Sequence, residues 1–172
     1  MSDEHGRDRV RAALEHTADD LLRYLERRVT VPADAADLLG DTMLQAWRRA
    51  DDCPTQGERQ RMWLFTIAAH VLANHRRSSS RRLRLAHRLR EHLACEASEA
   101  SPDHAEPSAV RDAVLRLRDA HRELVMLVHW DGLTLMEAAE LLELNASTAR
   151  TRYAAARATL RDALTLAPTA DH

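Results

Sequence analysis

Residues 134–153, TLMEAAELLELNASTARTRY, constrain the fold most, because they read as a short helix, a tight break and a second helix carrying arginines. Thr134 with Glu137 three residues on is a capping box, which fixes where the first helix starts. Ala138, Ala139, Leu141 and Leu142 give it one apolar side. Asn145 can cap the second helix. Beyond it Ala149, Tyr153, Ala156 and Leu160 recur at helical spacing, leaving Ser147, Thr148, Arg150, Thr151 and Arg152 on or near the opposite side. Two readings fit this segment equally: a helix-turn-helix whose second helix enters a DNA major groove, or a helical hairpin with a solvated basic face.

Composition extends the helical reading to the whole chain. Only 4 glycines and 3% aromatic residues stand among 172, beside abundant Ala, Leu, Arg and Glu. That balance predicts an all-α protein of one or two small domains. There is no long apolar run and residues 1–13 are polar and charged, so no membrane insertion or secretory signal is expected and the cytoplasm is the predicted location. Cys53 and Cys95 lie in unrelated segments, which supports neither a zinc site nor a disulfide framework. The ten histidines are scattered. Their close pairs, His70/His75 and His87/His92, are five apart and off a common helix face, so no metal or other cofactor is expected. No nucleophile–base pair or glycine-rich phosphate loop points to catalysis.

Net charge is only −2, yet the charges are segregated, and every Lys or Arg position is an arginine. Between residues 59 and 90 stand nine arginines (59, 61, 76, 77, 81, 82, 84, 88 and 90) with no acidic residue among them; Glu96, Glu99, Asp103 and Glu106 follow. A phosphate-binding stripe beside an acidic spacer accounts for this pattern, and so does a solvated basic face.

Two helical parts are expected. The first covers residues 10–93, with helices over 14–29, 33–49 and from 60 to 77 or onward to 93, punctuated by Pro32 and Pro54. Residues 94–109 have no apolar stripe and read as a flexible linker reaching about 54 Å extended and about 22 Å as a coil. The second part, 110–166, places Val110, Val114 and Leu117 on one helix and Leu124, Val125, Leu127 and Val128 on the next. An Asp131-Gly132 stop then leads into the helix-turn-helix. So small a domain has modest intrinsic stability.

The helix over 34–49 has two faces. Leu38, Leu39, Thr42, Met43, Ala46 and Trp47 make a buried seam; Asp37, Asp41, Leu44 and Arg48 line another side. That side either docks a basic protein surface or is an ordinary solvated face whose aspartates favour the helix dipole.

The order of DAADLLGDTMLQAW (34–47), RMWLFTIAAHVLANHRR (61–77), the linker and residues 121–160 resembles bacterial RNA polymerase sigma factors of the extracytoplasmic-function group, over roughly 17–82 and 110–165. The resemblance implies a promoter-specificity subunit that binds core RNA polymerase and promoter DNA, helps open the strands and performs no covalent chemistry. It also implies an anti-sigma partner. Asp37, Asp41, Leu44 and Arg48 would grip the polymerase. Arg59, Arg61, His70, Asn74, Arg76 and Arg77 would contact the minus-ten element, with Trp63, Leu64, Ile67, Ala68, Val71 and Leu72 forming the buried stripe behind them. A loop over 52–60, including Cys53, Pro54, Thr55, Gln56 and Glu58, would receive an unstacked base. Ser147, Thr148, Arg150, Thr151 and Arg152 would contact the minus-thirty-five element. Gly40 stands where the family usually has Gln, Ala69-His70 where Arg-Asn is common, Asn74 where Asp is common, and Glu143 where the turn glycine is usual. Ala154-Ala155 replace larger or basic residues. The alternative is a helix-turn-helix regulator that does not act as a polymerase specificity subunit.

Overall fold

The computed structural model describes residues 2–93 and 109–165, with side chains described over 5–85 and 109–165. The linker expected over 94–109, with Glu96, Glu99, Asp103 and Glu106, falls outside the described residues except for Ala109. Among the described residues there are helices and no strand, and the chain divides into two compact units.

In the first unit α1 (Ser2–Glu26), α2 (Pro32–Arg48) and α3 (Gly57–Leu93) each pack on the other two, and a 3-10 turn at Ala50–Asp52 closes the α2 end. Pro32 starts α2 where its missing N–H costs nothing. The core joins Val10, Leu14, Leu21 and Leu25 of α1, Ala35, Leu38 and Ala46 of α2, and Leu64, Phe65, Ile67, Ala68, Val71 and Leu72 of α3. Complete burial of each large member contributes about 1.5–3 kcal/mol. Tyr24 meets Phe65 edge to face at 5.4 Å. Thr42, also buried, donates its hydroxyl to the Leu38 carbonyl at 2.7 Å and so adds no unmet polar group.

Helix α1 begins twelve residues before the periodicity predicts. Gly6 and Val10 are buried in its added turns. A Cβ on Gly6 would come within 2.7 Å of the Ala50 carbonyl oxygen, so glycine lets α1 lie directly against the 3-10 turn. Phe65, absent from the expected stripe of α3, is fully buried, while Trp63 is only half-buried.

In the second unit α4 (Ala109–Leu115), α5 (Asp119–His129), α6 (Leu135–Leu141) and α7 (Ala146–Thr165) enclose Val114, Leu117, Val125 and Ala156, with Met126, Tyr153 and Leu160 packed against them. Val110, expected on the apolar side of α4, is exposed, and Leu117 is buried from just beyond that helix. Gly132, at φ 65°, reverses the chain after α5 at the Asp131-Gly132 stop. The Thr134–Glu137 capping box is formed, and the Asn145 side chain accepts from the Thr148 N–H at 2.8 Å.

Between α6 and α7 the turn is a Schellman motif: the Leu144 N–H donates to the Ala139 carbonyl at 2.8 Å and the Glu143 N–H to the Glu140 carbonyl at 3.1 Å. The motif requires a left-handed residue, and Glu143 takes that conformation at φ 53°. Replacing the usual glycine thus keeps the turn and adds backbone strain.

Candidate nucleic-acid and polymerase interface

Asp37, Asp41, Leu44 and Arg48 follow one another at helical spacing and are all exposed, opposite the buried Ala35, Leu38, Thr42 and Ala46. Among the described residues Asp37, Asp41 and Arg48 make no hydrogen bond or ion pair, so their charges face water. Leu44, 46% exposed, adds an apolar side chain between Asp41 and Arg48. Asp34 differs: its carboxylate lies 3.5 Å from His75 Nε2, tying the start of α2 to α3 whenever the imidazole is protonated.

At 100° per residue, Arg59, His70, Asn74, Arg77, Arg81 and Arg84 fall on one side of α3, and all six are exposed. From Arg59 to Arg84 this side runs about 37 Å. Arg77 donates to the Asn74 side-chain oxygen at 2.7 Å, which orients both groups outward from one helix turn. Arg76 lies to one side and reaches the Arg28 carbonyl at 3.5 Å.

Arg61 lies on the opposite side of α3. Its guanidinium is 3.3 Å from Asp20 and 4.8 Å from the centre of the Phe65 ring, and its side chain is only 27% exposed. Here the geometry describes a tie between α1 and α3 rather than an open phosphate ligand. Spacing from Phe65, four residues on, was the available signal.

The expected loop over 52–60 is shorter in the structure. Asp52 ends the 3-10 turn and α3 has begun by Gly57. Cys53 is buried and therefore offers no group to a ligand; burial raises its thiol pKa, with nearby Arg9 opposing the shift. Gln60 is spent on the Pro54 carbonyl at 2.8 Å. Thr55, Gln56 and Glu58 remain exposed beside Arg59.

On α7, Ser147 and Thr151 are exposed in the centre of the outer face, Arg150 is exposed on one flank of it, Thr148 is half-buried behind the Asn145 cap, and Arg152 is half-buried toward the core edge. Neither Arg150 nor Arg152 has a hydrogen bond or ion pair among the described residues. The Thr151 hydroxyl donates to the Ser147 carbonyl at 3.0 Å. Ala154 and Ala155 extend the same exposed face without reach. Tyr153 hydrogen-bonds His129 at 2.8 Å and stacks on its ring, which fixes the roll of α7 against α5. No local pattern points to His129, whose partner lies 24 residues away in the sequence.

Together these features define a two-part helical protein with an exposed Asp37–Asp41–Leu44–Arg48 face on α2 and exposed arginine-bearing faces on α3 and α7. The model of sigma-70 region 2 matches residues 13–82 and that of sigma-70 region 4 matches residues 108–160. The chain is 35% identical over 150 residues to the ECF RNA polymerase sigma factor BldN of Streptomyces coelicolor, covering 84% of this chain and 56% of that protein. It is 26% identical over 152 residues to the ECF RNA polymerase sigma factor SigL of Mycobacterium tuberculosis, covering 83% of this chain and 81% of that protein. The fold matches the sigma factor RpoE of Bartonella quintana, solved with the anti-sigma factor NepR, with a TM-score of 0.62 at 22% identity over 91% of this chain and 97% of that one. The chain belongs to the sigma-70 family, in its extracytoplasmic-function group. Its match to region 2 as well as region 4 sets aside a regulator that merely carries a helix-turn-helix. Among the described residues no helix is long and apolar enough to cross a membrane.

Proposed function

We propose that this chain binds core RNA polymerase in the cytoplasm, directs it to promoters and assists strand opening, while performing no covalent chemistry itself. The observation that carries this reading is the α2 face: two unpaired aspartates, an exposed leucine and an arginine follow one another along a helix otherwise anchored by its buried seam. A solvated acidic face needs no apolar side chain. A docking face does, because burial of Leu44 supplies affinity while the aspartates select a basic partner.

Docked through α2, the first unit would present the exposed side of α3 to DNA. Arg59 and Arg77 would hold phosphates, and His70 and Asn74 would face bases near the minus-ten element. An unstacked base would enter beside Thr55 and Gln56, since the duplex hides the edge that must be read. Arg61 would act by holding α1 on α3, and Arg76 from the flank. In the second unit Arg150, exposed and unpaired, would reach guanine edges of the minus-thirty-five element. Arg152 would reach phosphate, and Ser147, Thr148 and Thr151 would support both. RpoE's complex with NepR supports an anti-sigma protein as a further partner of this chain.

Charge reversal at Asp37 and Asp41 tests the docking step. Co-purification with core polymerase should be lost while helicity and melting temperature stay nearly unchanged; undiminished binding removes α2 from this role.

A further inference from the structure

The three consecutive serines of α3 differ in a way that sequence alone hides. Ser78 is half-buried and accepts from Arg82 Nη2 at 3.2 Å, and Ser79 is half-buried with its hydroxyl 3.4 Å from His75 Nε2. Ser80 is exposed, and its hydroxyl makes no hydrogen bond among the described residues. It shares a shallow surface cleft with four arginines, Arg76, Arg77, Arg81 and Arg84. Three of them stand at the −4, −3 and +4 positions, the neighbours that a helix brings alongside one another. Residues 80–85 are all exposed, Leu83 at 67% and Leu85 at 60% among them, so the described core does not hold this stretch of helix. Segments of that kind open locally at low cost.

We propose that Ser80 is a phosphorylation site, and that its modification switches off DNA binding by α3. Two arginines stand upstream of a hydroxyl that is exposed and free already in the folded helix, where those of Ser78 and Ser79 are half-buried and engaged, so a protein kinase that reads basic residues before its acceptor meets Ser80 first. In the transfer, Ser80 Oγ bonds to the terminal phosphorus of a nucleoside triphosphate. The bond from that phosphorus to its bridging oxygen breaks, the diphosphate leaves with the electron pair, and the hydroxyl proton passes to the kinase's base. After closure the phosphoserine carries about −1.5 to −2 charges into the arginine cleft. Arg76, Arg77 and Arg84 turn inward to it through charge-assisted hydrogen bonds. The same arginines are then lost to the DNA backbone, since Arg77 and Arg84 belong to the exposed side of α3.

The effect on DNA rests on the proposed function; the modification itself does not. The full chain is incubated with ATP and an arginine-directed serine/threonine kinase, and the phosphate is located by fragmentation of the intact protein. One phosphate should appear at Ser80 and none on the Ser80→Ala variant. Holoenzyme carrying the modified chain should bind promoter DNA at least about tenfold more weakly at low salt, with a salt dependence shallower by about two counterions. Ser80→Asp should shift binding the same way, and Ser80→Ala should bind like the parent. Phosphate at Ser78 or Ser79 alone, no incorporation, or modified holoenzyme with unchanged affinity would overturn the inference. If the unmodified chain itself forms no holoenzyme or binds no promoter, the proposed function fails while the mapped phosphate stands.

Discussion

Arg61 on α3 reaches Asp20 on α1 across 3.3 Å, and the same guanidinium covers Phe65, so a residue in the arginine-rich segment holds the fold together. Arg59, two positions earlier, is exposed and has no such partner among the described residues. Alanine at Arg61 should therefore lower the stability of the first unit by about 1 kcal/mol, combining a partly exposed ion pair with a cation–π contact. Alanine at Arg59 should leave the melting curve unchanged and weaken promoter binding. Thermal denaturation beside DNA binding separates the two; equal stabilities would remove the structural role from Arg61.

Two helix glycines should respond to alanine with opposite signs. Gly40 is exposed and a Cβ there meets nothing within 4 Å, so Gly40→Ala should stabilise by about 1 kcal/mol through helix propensity. Gly6→Ala drives a methyl group against the Ala50 carbonyl and should cost about 1–3 kcal/mol. Denaturant unfolding measures both. Gly40→Gln, which restores the family's usual residue beside Asp37 and Asp41, should also tighten binding to core polymerase.

Glu143 at φ 53° carries strain that glycine lacks. Glu143→Gly should stabilise the second unit by about 0.5–1 kcal/mol, the relief of left-handed strain less glycine's added freedom when unfolded. Glu143→Ile should destabilise it, because a β-branched residue tolerates this conformation least. A melting temperature that falls for glycine would contradict this account of the turn.

Asn145→Ala removes the side-chain acceptor from the Thr148 N–H and should cost about 1 kcal/mol, with DNA affinity falling as the start of α7 frays. Urea titration and promoter binding on the same variant give both effects.

The helix-turn-helix was legible because its signals are local: Thr134 with Glu137, Gly132 and Asn145 each act within a few residues of themselves. The exposed faces of α2 and α7 were legible for the related reason that a helix's period sorts its sides. Contacts between helices were not. The start of α1 is hidden in the sequence because Gly6 and Ala13 bury small side chains, which carry little hydrophobic periodicity. Phe65 is not singled out by the periodicity because its neighbour Leu64 already satisfies the apolar pattern. Arg61 counted as one more arginine until Asp20, 41 residues away, gave it a partner. Cys53 looked like a loop residue because no local pattern announces the 3-10 turn that buries it.

The most direct measurement is transcription in vitro with purified core polymerase and fragments of the source genome, with and without the chain. The account predicts discrete start sites that appear only when the chain is added. They should weaken when Arg150 and Arg152 are both alanine, while a pre-melted template remains active. Changes at His70 and Asn74 should instead alter base preference near the start site. Transcripts identical with and without the chain would contradict its role as a specificity subunit, and start sites indifferent to Arg150 and Arg152 would contradict the assignment of α7 to promoter recognition.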